Sequence, residues 1–353
     1  MSPTLSVLAA DTVYSAAPPV QSIGTPWLWG LTLAGVLALL VLDFALTRRP
    51  HEVSMREAIG WTVFYIALPV AFGLFLWFNN GGTTSVEFFT GYLLEKSLSV
   101  DNLFIFMLLL SAFAVPAALA QRVLLYGIAG ALVLRGIFIA LGAAALATLD
   151  WAFLLFGVIL LITAVKLLAD AAGGHEQDVD ISTMKSVRLL RRFWPVTDDY
   201  RGTKMVVQEA DPDKPGMFRR ALTPLALVVA AVMATDVVFA VDSVPAVYGV
   251  TGDPFLVFAT NAFALLGLRA LYFVLHAALS RLVHLAYGLA AILAFIGVKL
   301  VLHWAHGIWS GVPQIPTAAS LLVIVVVLTT VTLTSLRATR GDKGHAPEST
   351  VDA

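Results

Sequence analysis

The sequence predicts an all-α, polytopic membrane protein with nine transmembrane helices and an inverted three-helix repeat. Three observations carry that expectation. Of 353 residues, 59% are hydrophobic and 13% charged, about half the charged share of a soluble domain, and the mean hydropathy is +0.87. Apolar runs of about 20 residues, the length a helix needs to cross the hydrocarbon core, recur along the chain. An acidic motif then appears twice inside those runs, as EKSLSVDN with Glu95 and Asp101 and as TDVVFAVDS with Asp236 and Asp242. Helices are required because lipid offers no partner for an unpaired backbone group, and no ten-residue alternation suggests a barrel.

Taken in order, residues 1–26 contain no Lys or Arg and carry prolines at 18 and 19. They lack the basic and continuous apolar regions of a signal peptide, so a flexible outer tail is expected. Residues 27–80 hold two spans, Trp27–Leu46 and Trp61–Phe78. Residues 87–170 hold three, Glu87–Ser111, Arg122–Leu146 and Trp151–Ala169. A polar linker follows at 171–220, with a short helix expected near Thr183–Arg192. Its HEQDVD stretch, His175–Asp180, is a solvated acidic loop in the simplest reading and a regulatory metal site in the sharper one. Residues 221–304 hold the next three spans, Leu222–Val250, Phe255–Ala278 and Leu282–Trp304. A final span at 315–336 precedes a tail at 337–353.

Orientation follows from the Lys and Arg residues, which are retained on the cytoplasmic side. With the N-terminus outside, Arg48, Arg49, Arg56, Arg122, Arg281, Arg337, Arg340, Lys343 and the nine bases of the linker all fall inside. The outer segments hold none. The remaining five, Lys96, Arg135, Lys166, Arg269 and Lys299, sit within the spans and extend the repeat. VLRGIFIALG around Arg135 matches GLRALYFVLH around Arg269, and ITAVKL matches FIGVKL. Three spans per copy force the second copy to enter the membrane upside down, an arrangement that transporters use around a midplane site.

An ionised carboxylate in hydrocarbon costs about 2.5–3.5 kcal/mol even on gentle scales, so four of them point to function. Six residues on a straight helix advance about 9 Å and turn about 240°. The acids of each motif therefore either mark two levels of one pathway or flank a broken helix. Pro245 favours a break, since it cannot donate to the carbonyl of Val241, a candidate backbone ligand. Glu95, Asp101, Asn102, Asp236, Asp242 and Ser243, with Ser97, Ser99 and Thr235 in support, are hard oxygen donors. They suit Mg²⁺, Ca²⁺ or Mn²⁺. The bland alternative is that the acids merely pair with Lys96, Arg135 and Arg269 as counter-ions, while Lys166 and Lys299 snorkel. With no cysteine in the chain, disulfides and thiolate sites are excluded. No basic patch interleaved with aromatics suggests a nucleic-acid partner.

EKSLSVDNLFIF (Glu95–Phe106) and TDVVFAVDSVPAVYGVTGDP (Thr235–Pro254) resemble the two signature motifs of the TerC/Alx family of integral membrane proteins. The likeness extends from about Trp61 to His303. It implies a nine-helix protein of the bacterial inner membrane that exports Mn²⁺ as its substrate, in a family whose name comes from an association with tellurite resistance. It also carries the acidic motif roles onto Glu95, Asp101, Asp236 and Asp242, with Asn102 and Ser243 beside them. Many members of the family have a glutamate where this chain has Met233; if that glutamate is a ligand in them, the resemblance implies one fewer charge at this site and leaves its metal preference open. The partners expected are metal ions, protons and the lipid bilayer, with no prosthetic group and no nucleic acid. Proton coupling is expected because no nucleotide motif is present to drive export, with Glu95 and Asp236 as the proton carriers. Two other classes compete. An intramembrane aspartyl protease would need Tyr-Asp and Gly-x-Gly-Asp, which the spans lack. A non-transporting scaffold in metal or tellurite stress would need none of these residues to bind an ion.

Overall fold

A computed structural model of the chain describes residues 22–46, 54–149, 151–173, 184–210, 218–276, 284–309 and 311–342. The elements are α1 (Pro26–Leu46), α2 (Met55–Asn80), α3 (Gly82–Ala112), α4 (Ala117–Thr148), α5 (Ala152–Ala172) and α6 (Lys185–Phe193). They continue with β1 (Val206–Ala210), β2 (Phe218–Leu222), α7 (Pro224–Tyr248), α8 (Pro254–Leu266), α9 (Leu268–His276), α10 (Leu285–Ile308) and α11 (Thr317–Asp342). The HEQDVD stretch, most of the outer tail, Arg48, Arg49, Arg281 and Lys343 lie outside the described residues.

Among the described residues, seven helices are long and apolar enough to cross a membrane: α1, α2, α4, α5, α7, α10 and α11. The pair α8 and α9, bent by 40°, makes an eighth if taken as one span. Helix α3 has 31 residues, about 46 Å at 1.5 Å per residue, but carries Glu95, Lys96 and Asp101 close together. Large apolar side chains such as Trp27, Val133, Val165 and Val238 stand on the outside, as the exterior of a bundle in lipid requires. The protein is a helical, multi-pass integral membrane protein.

Local sequence explains the element ends. Ser54 caps α2 by accepting from the Glu57 amide at 3.3 Å, and Asp253 caps α8 by accepting from Phe255 at 2.8 Å. Gly81, at φ +94°, turns the chain directly from α2 into α3, a conformation open to glycine. Pro224 and Pro254 occupy first-turn positions, where the missing amide costs nothing.

Two expectations need correction. Helix α7 is not broken near Asp242; it runs unbroken to Tyr248, with Pro245 in its last turn. A proline that near the end removes one hydrogen bond, that of the Val241 carbonyl, without disrupting turns beyond it. The bend falls instead at Gly267, between α8 and α9. The linker also contains more than a short helix. Strands β1 and β2 form an antiparallel pair, with Val206 opposite Leu222 and Glu209 opposite Arg219.

Inside the bundle, α3 packs on α7 and α8, α4 packs on α7 and α8, and α5 lies along α10. The last contact is backbone to backbone. A Cβ on Gly157 would sit 2.9 Å from the Gly297 carbonyl oxygen, and one on Gly297 would sit 3.0 Å from that of Gly157. Small residues at such crossings let membrane helices approach closely enough for dispersion to hold them.

Candidate functional site

The six-residue spacing in α3 and α7 sorts the four acids by face. A rotation of about 240° turns Glu95 and Asp236 toward α4 and α8, and Asp101 and Asp242 toward α5 and α10.

On the first face, Arg135 of α4 is 1% exposed and sits between both motif helices. Its Nε and Nη2 donate to the two oxygens of Asp236 at 3.3 and 3.1 Å. Its Nη1 donates to Asn261 Oδ1 of α8 at 2.8 Å and forms an ion pair with Glu95. Asn261 is held in turn by donating from Nδ2 to the Val257 carbonyl at 3.0 Å. Glu95 is 0% and Asp236 1% exposed, so two negative charges surround one arginine with no access to bulk water. Glu95 Oε2 has no hydrogen-bond partner among the described residues.

On the second face, Asp101, Asn102, Asp242 and Ser243 line a cavity of about 410 Å³. Both aspartates are only partly exposed. Val241 lines the same space, and α5 closes it with Thr163, Lys166 and Asp170. Lys166 and Asp170 are exposed, so the cavity reaches the surface at the C-terminal end of α5. The Ser243 hydroxyl is buried without a hydrogen-bond partner among the described residues. Ser97 and Thr235 instead donate to the carbonyls of Leu93 and Ala231 in their own helices, which ties up their hydroxyl protons. The predicted residues are thus divided between two places. Among the described residues, no group of three or more His, Asp or Glu side chains is close enough to hold a metal ion.

Two of the expected counter-ions have other partners. Arg269 donates to Asp43 of α1 at 2.8 Å and to Gln121 of α4 at 3.1 Å, so it fastens the first helix and leaves the motif acids alone. Lys96 donates to the Ala264 carbonyl at 3.2 Å, near the bend that follows α8. A freed C-terminal carbonyl is a good partner for a buried ammonium. Met233 packs beside Gly130, where an added Cβ would lie 2.9 Å from its sulfur.

Sequence reasoning missed Asn261, Asp43 and the α5 wall of the cavity. Asn261 and Asp43 were visible as isolated polar residues in apolar spans. Lys166 and Asp170 were visible as an i, i+4 pair, but at a span end that reads as snorkelling.

These features define a polytopic helical membrane protein whose helices α3 and α7 carry buried and partly buried acidic residues. The family model described as "Integral membrane protein TerC family" matches residues 80–343. The chain belongs to the TerC family. It is 38% identical over 333 residues to an uncharacterized membrane protein of Myxococcus xanthus, covering 94% of this chain and 98% of that one. It is 41% identical over 293 residues to Alx of Photorhabdus laumondii, provisionally named a membrane-bound redox modulator, covering 80% and 88% of the two chains. Alx of Escherichia coli strain K12, with the same provisional name, is 40% identical over 316 residues, covering 86% and 92%. No solved structure matches the chain.

Proposed function

We propose that the protein exports divalent cations, with Mn²⁺ as substrate, across the bacterial inner membrane in exchange for protons. The observation that carries this reading is the shared cavity of Asp101, Asn102, Asp242 and Ser243, which opens beside Asp170. Those donors are oxygens of the kind that hold hard divalent cations, with the Val241 carbonyl as a further candidate. By the distribution of Lys and Arg, the C-terminal end of α5 is cytoplasmic, the side from which an exporter loads.

The proposed architecture is nine spans, counting α3 and the bent α8–α9 pair, with the N-terminus outside and the C-terminus in the cytoplasm. Helices α3–α5 form one repeat and α7–α10 its inverted copy. The packing supports this, because exchanging the copies converts the α4–α7 contact into the α8–α3 contact and leaves α5–α10 as it is.

Moving a divalent cation outward against an inside-negative potential of 100 mV costs about 4.6 kcal/mol. Protons returning through the same site meet that cost. Glu95 and Asp236 are the less suitable carriers, since both are occupied by Arg135. Asp101 and Asp242 take metal or protons in turn, and Arg135 fixes the helices that present them. The role is transport and no catalytic residue is assigned.

A non-transporting modulator remains the second reading, prompted by the provisional name of the Alx relatives. The chain has no cysteine, so any such action by it would run through metal supply rather than thiol exchange. Reconstituted vesicles separate the two. Mn²⁺ flux that follows an imposed pH gradient, with the membrane potential clamped, is the expected result. Flux indifferent to the gradient removes the proton, and no flux at all leaves the modulator.

A further inference from the structure

The described residues 184–210 and 218–222 pack on the end of the bundle. Val187 of α6 is 2% exposed and packs with Leu225, Leu227 and Val228 of α7. The Thr197 amide donates to the Leu222 carbonyl at 2.9 Å, and the Leu222 amide to that of Pro195 at 2.8 Å. Tyr200 Oη donates to the Phe113 carbonyl at 2.8 Å, fastening the unit to the turn after α3. Having buried one face, α6 leaves a second apolar face uncovered. Leu189 is 58%, Phe193 68% and Trp194 47% exposed, and Phe218 at the start of β2 is 72% exposed.

The stretch that carries these side chains is basic. Residues 184–210 and 218–222 contain eight Lys and Arg against three Asp and Glu, a net +5, while the linker's other acids lie at 176–180 and 211–213. Arg191 turns toward a recess shared with Asp198 and Asp199, but Arg192 is exposed and neighbours Phe193. Aromatic and aliphatic side chains beside arginines, one helix away from membrane spans, have the chemistry of the headgroup boundary. The rings sit among the upper acyl carbons and the guanidinium groups meet phosphates.

We infer that the exposed face of α6, with Leu189, Arg192 and Phe193 and with Trp194 just past its end, lies on the inner leaflet and binds anionic phospholipid. A basic residue near a charged leaflet contributes enough to change occupancy about fivefold, so one arginine is measurable. This is independent of what the cavity carries.

The cysteine-free chain allows a clean test in the full-length protein. Single-cysteine variants Leu189→Cys, Phe193→Cys and Arg201→Cys, each bearing an environment-sensitive fluorophore, are reconstituted in phosphatidylcholine vesicles with and without phosphatidylglycerol. The probes at 189 and 193 are expected to be quenched by a lipid-borne nitroxide and shielded from aqueous iodide, more so with phosphatidylglycerol, and the probe at 201 the reverse. Arg192→Gln is expected to lower the nitroxide-accessible population at 193 about fivefold in the anionic vesicles alone. Iodide quenching at 193 equal to that at 201 overturns the inference. Shielding from both quenchers that is lost on dilution also overturns it, in favour of contact between copies of the chain.

Discussion

Glu95 and Asp236 lie on one side of the two motif helices, and Asp101 and Asp242 on the other. The first pair shares Arg135 and is closed off from solvent; the second lines a cavity that reaches the surface. The residue types are nearly the same, so the difference lies in what neutralises the charge. A carboxylate with a built-in guanidinium is a fixed part of the fold, and removing its partner leaves a buried charge uncompensated. A carboxylate that faces an open cavity can take its counter-charge from what enters, and can therefore exchange it. Under the proposed function, one face is a fastening and the other a binding surface.

The sharpest way to break it is to neutralise each face in turn. On the cavity face, Asp101→Asn and Asp242→Asn keep size and remove charge. Each is expected to cut Mn²⁺ flux in vesicles about 100-fold, roughly 2.7 kcal/mol, at unchanged protein abundance. A fully active Asp242→Asn protein would end the ligand assignment.

On the fastening face the order of effects reverses. Arg135→Met strands Glu95 and Asp236, and is expected to cost about 3–5 kcal/mol of stability, read as lost abundance and early thermal aggregation in detergent. Adding Glu95→Gln and Asp236→Asn to Arg135→Met removes the stranded charges and should restore much of that loss. If the single variant is as stable as the parent, the two faces do not differ as described.

Lys166 tests the cavity from its mouth. It is exposed, so water screens its repulsion of an arriving divalent cation to about 1 kcal/mol at a separation of about 8 Å. Lys166→Gln is expected to lower KM for Mn²⁺ about fivefold, with abundance unchanged. An unaltered KM would mean that the side chain only snorkels.

Much of this division could have been read in the sequence, and part of it could not. Most of the spans were legible because a lipid-facing surface demands continuous apolar runs: seven of those expected coincide with helices long and apolar enough to cross a membrane, and the bent α8–α9 pair makes an eighth. The doubled acids were legible because charge in hydrocarbon is costly. Their separation by face was already implied by six residues at about 100° each, but which face met Arg135 depended on α4 lying between α7 and α8. Pro245 misled because a proline's effect depends on its distance from the helix end, and the end of α7 was set by packing around Tyr248. Strands β1 and β2 escaped notice because five residues each, with their polar residues adjacent rather than alternating, give no period-two pattern among the surrounding charges.

The smallest expected effect lies on neither face and supplies the baseline for both. Tyr200 donates to the Phe113 carbonyl at 2.8 Å, and burial pushes its phenol from 10.0 up to about 12. Tyr200→Phe removes one hydrogen bond of about 1 kcal/mol and leaves an acceptor that water can reach. A phenol whose folded value is raised contributes its full stabilisation below about pH 10 and loses it as pH climbs from there toward 12. The parent should therefore lose thermal stability over that alkaline window, and Tyr200→Phe should lose less of it. Mn²⁺ flux should be the same in both at neutral pH. A drop in flux with Tyr200→Phe would couple the unit between α5 and α7 to the cavity, and the losses predicted for Asp101 and Asp242 could no longer be credited to their carboxylates alone.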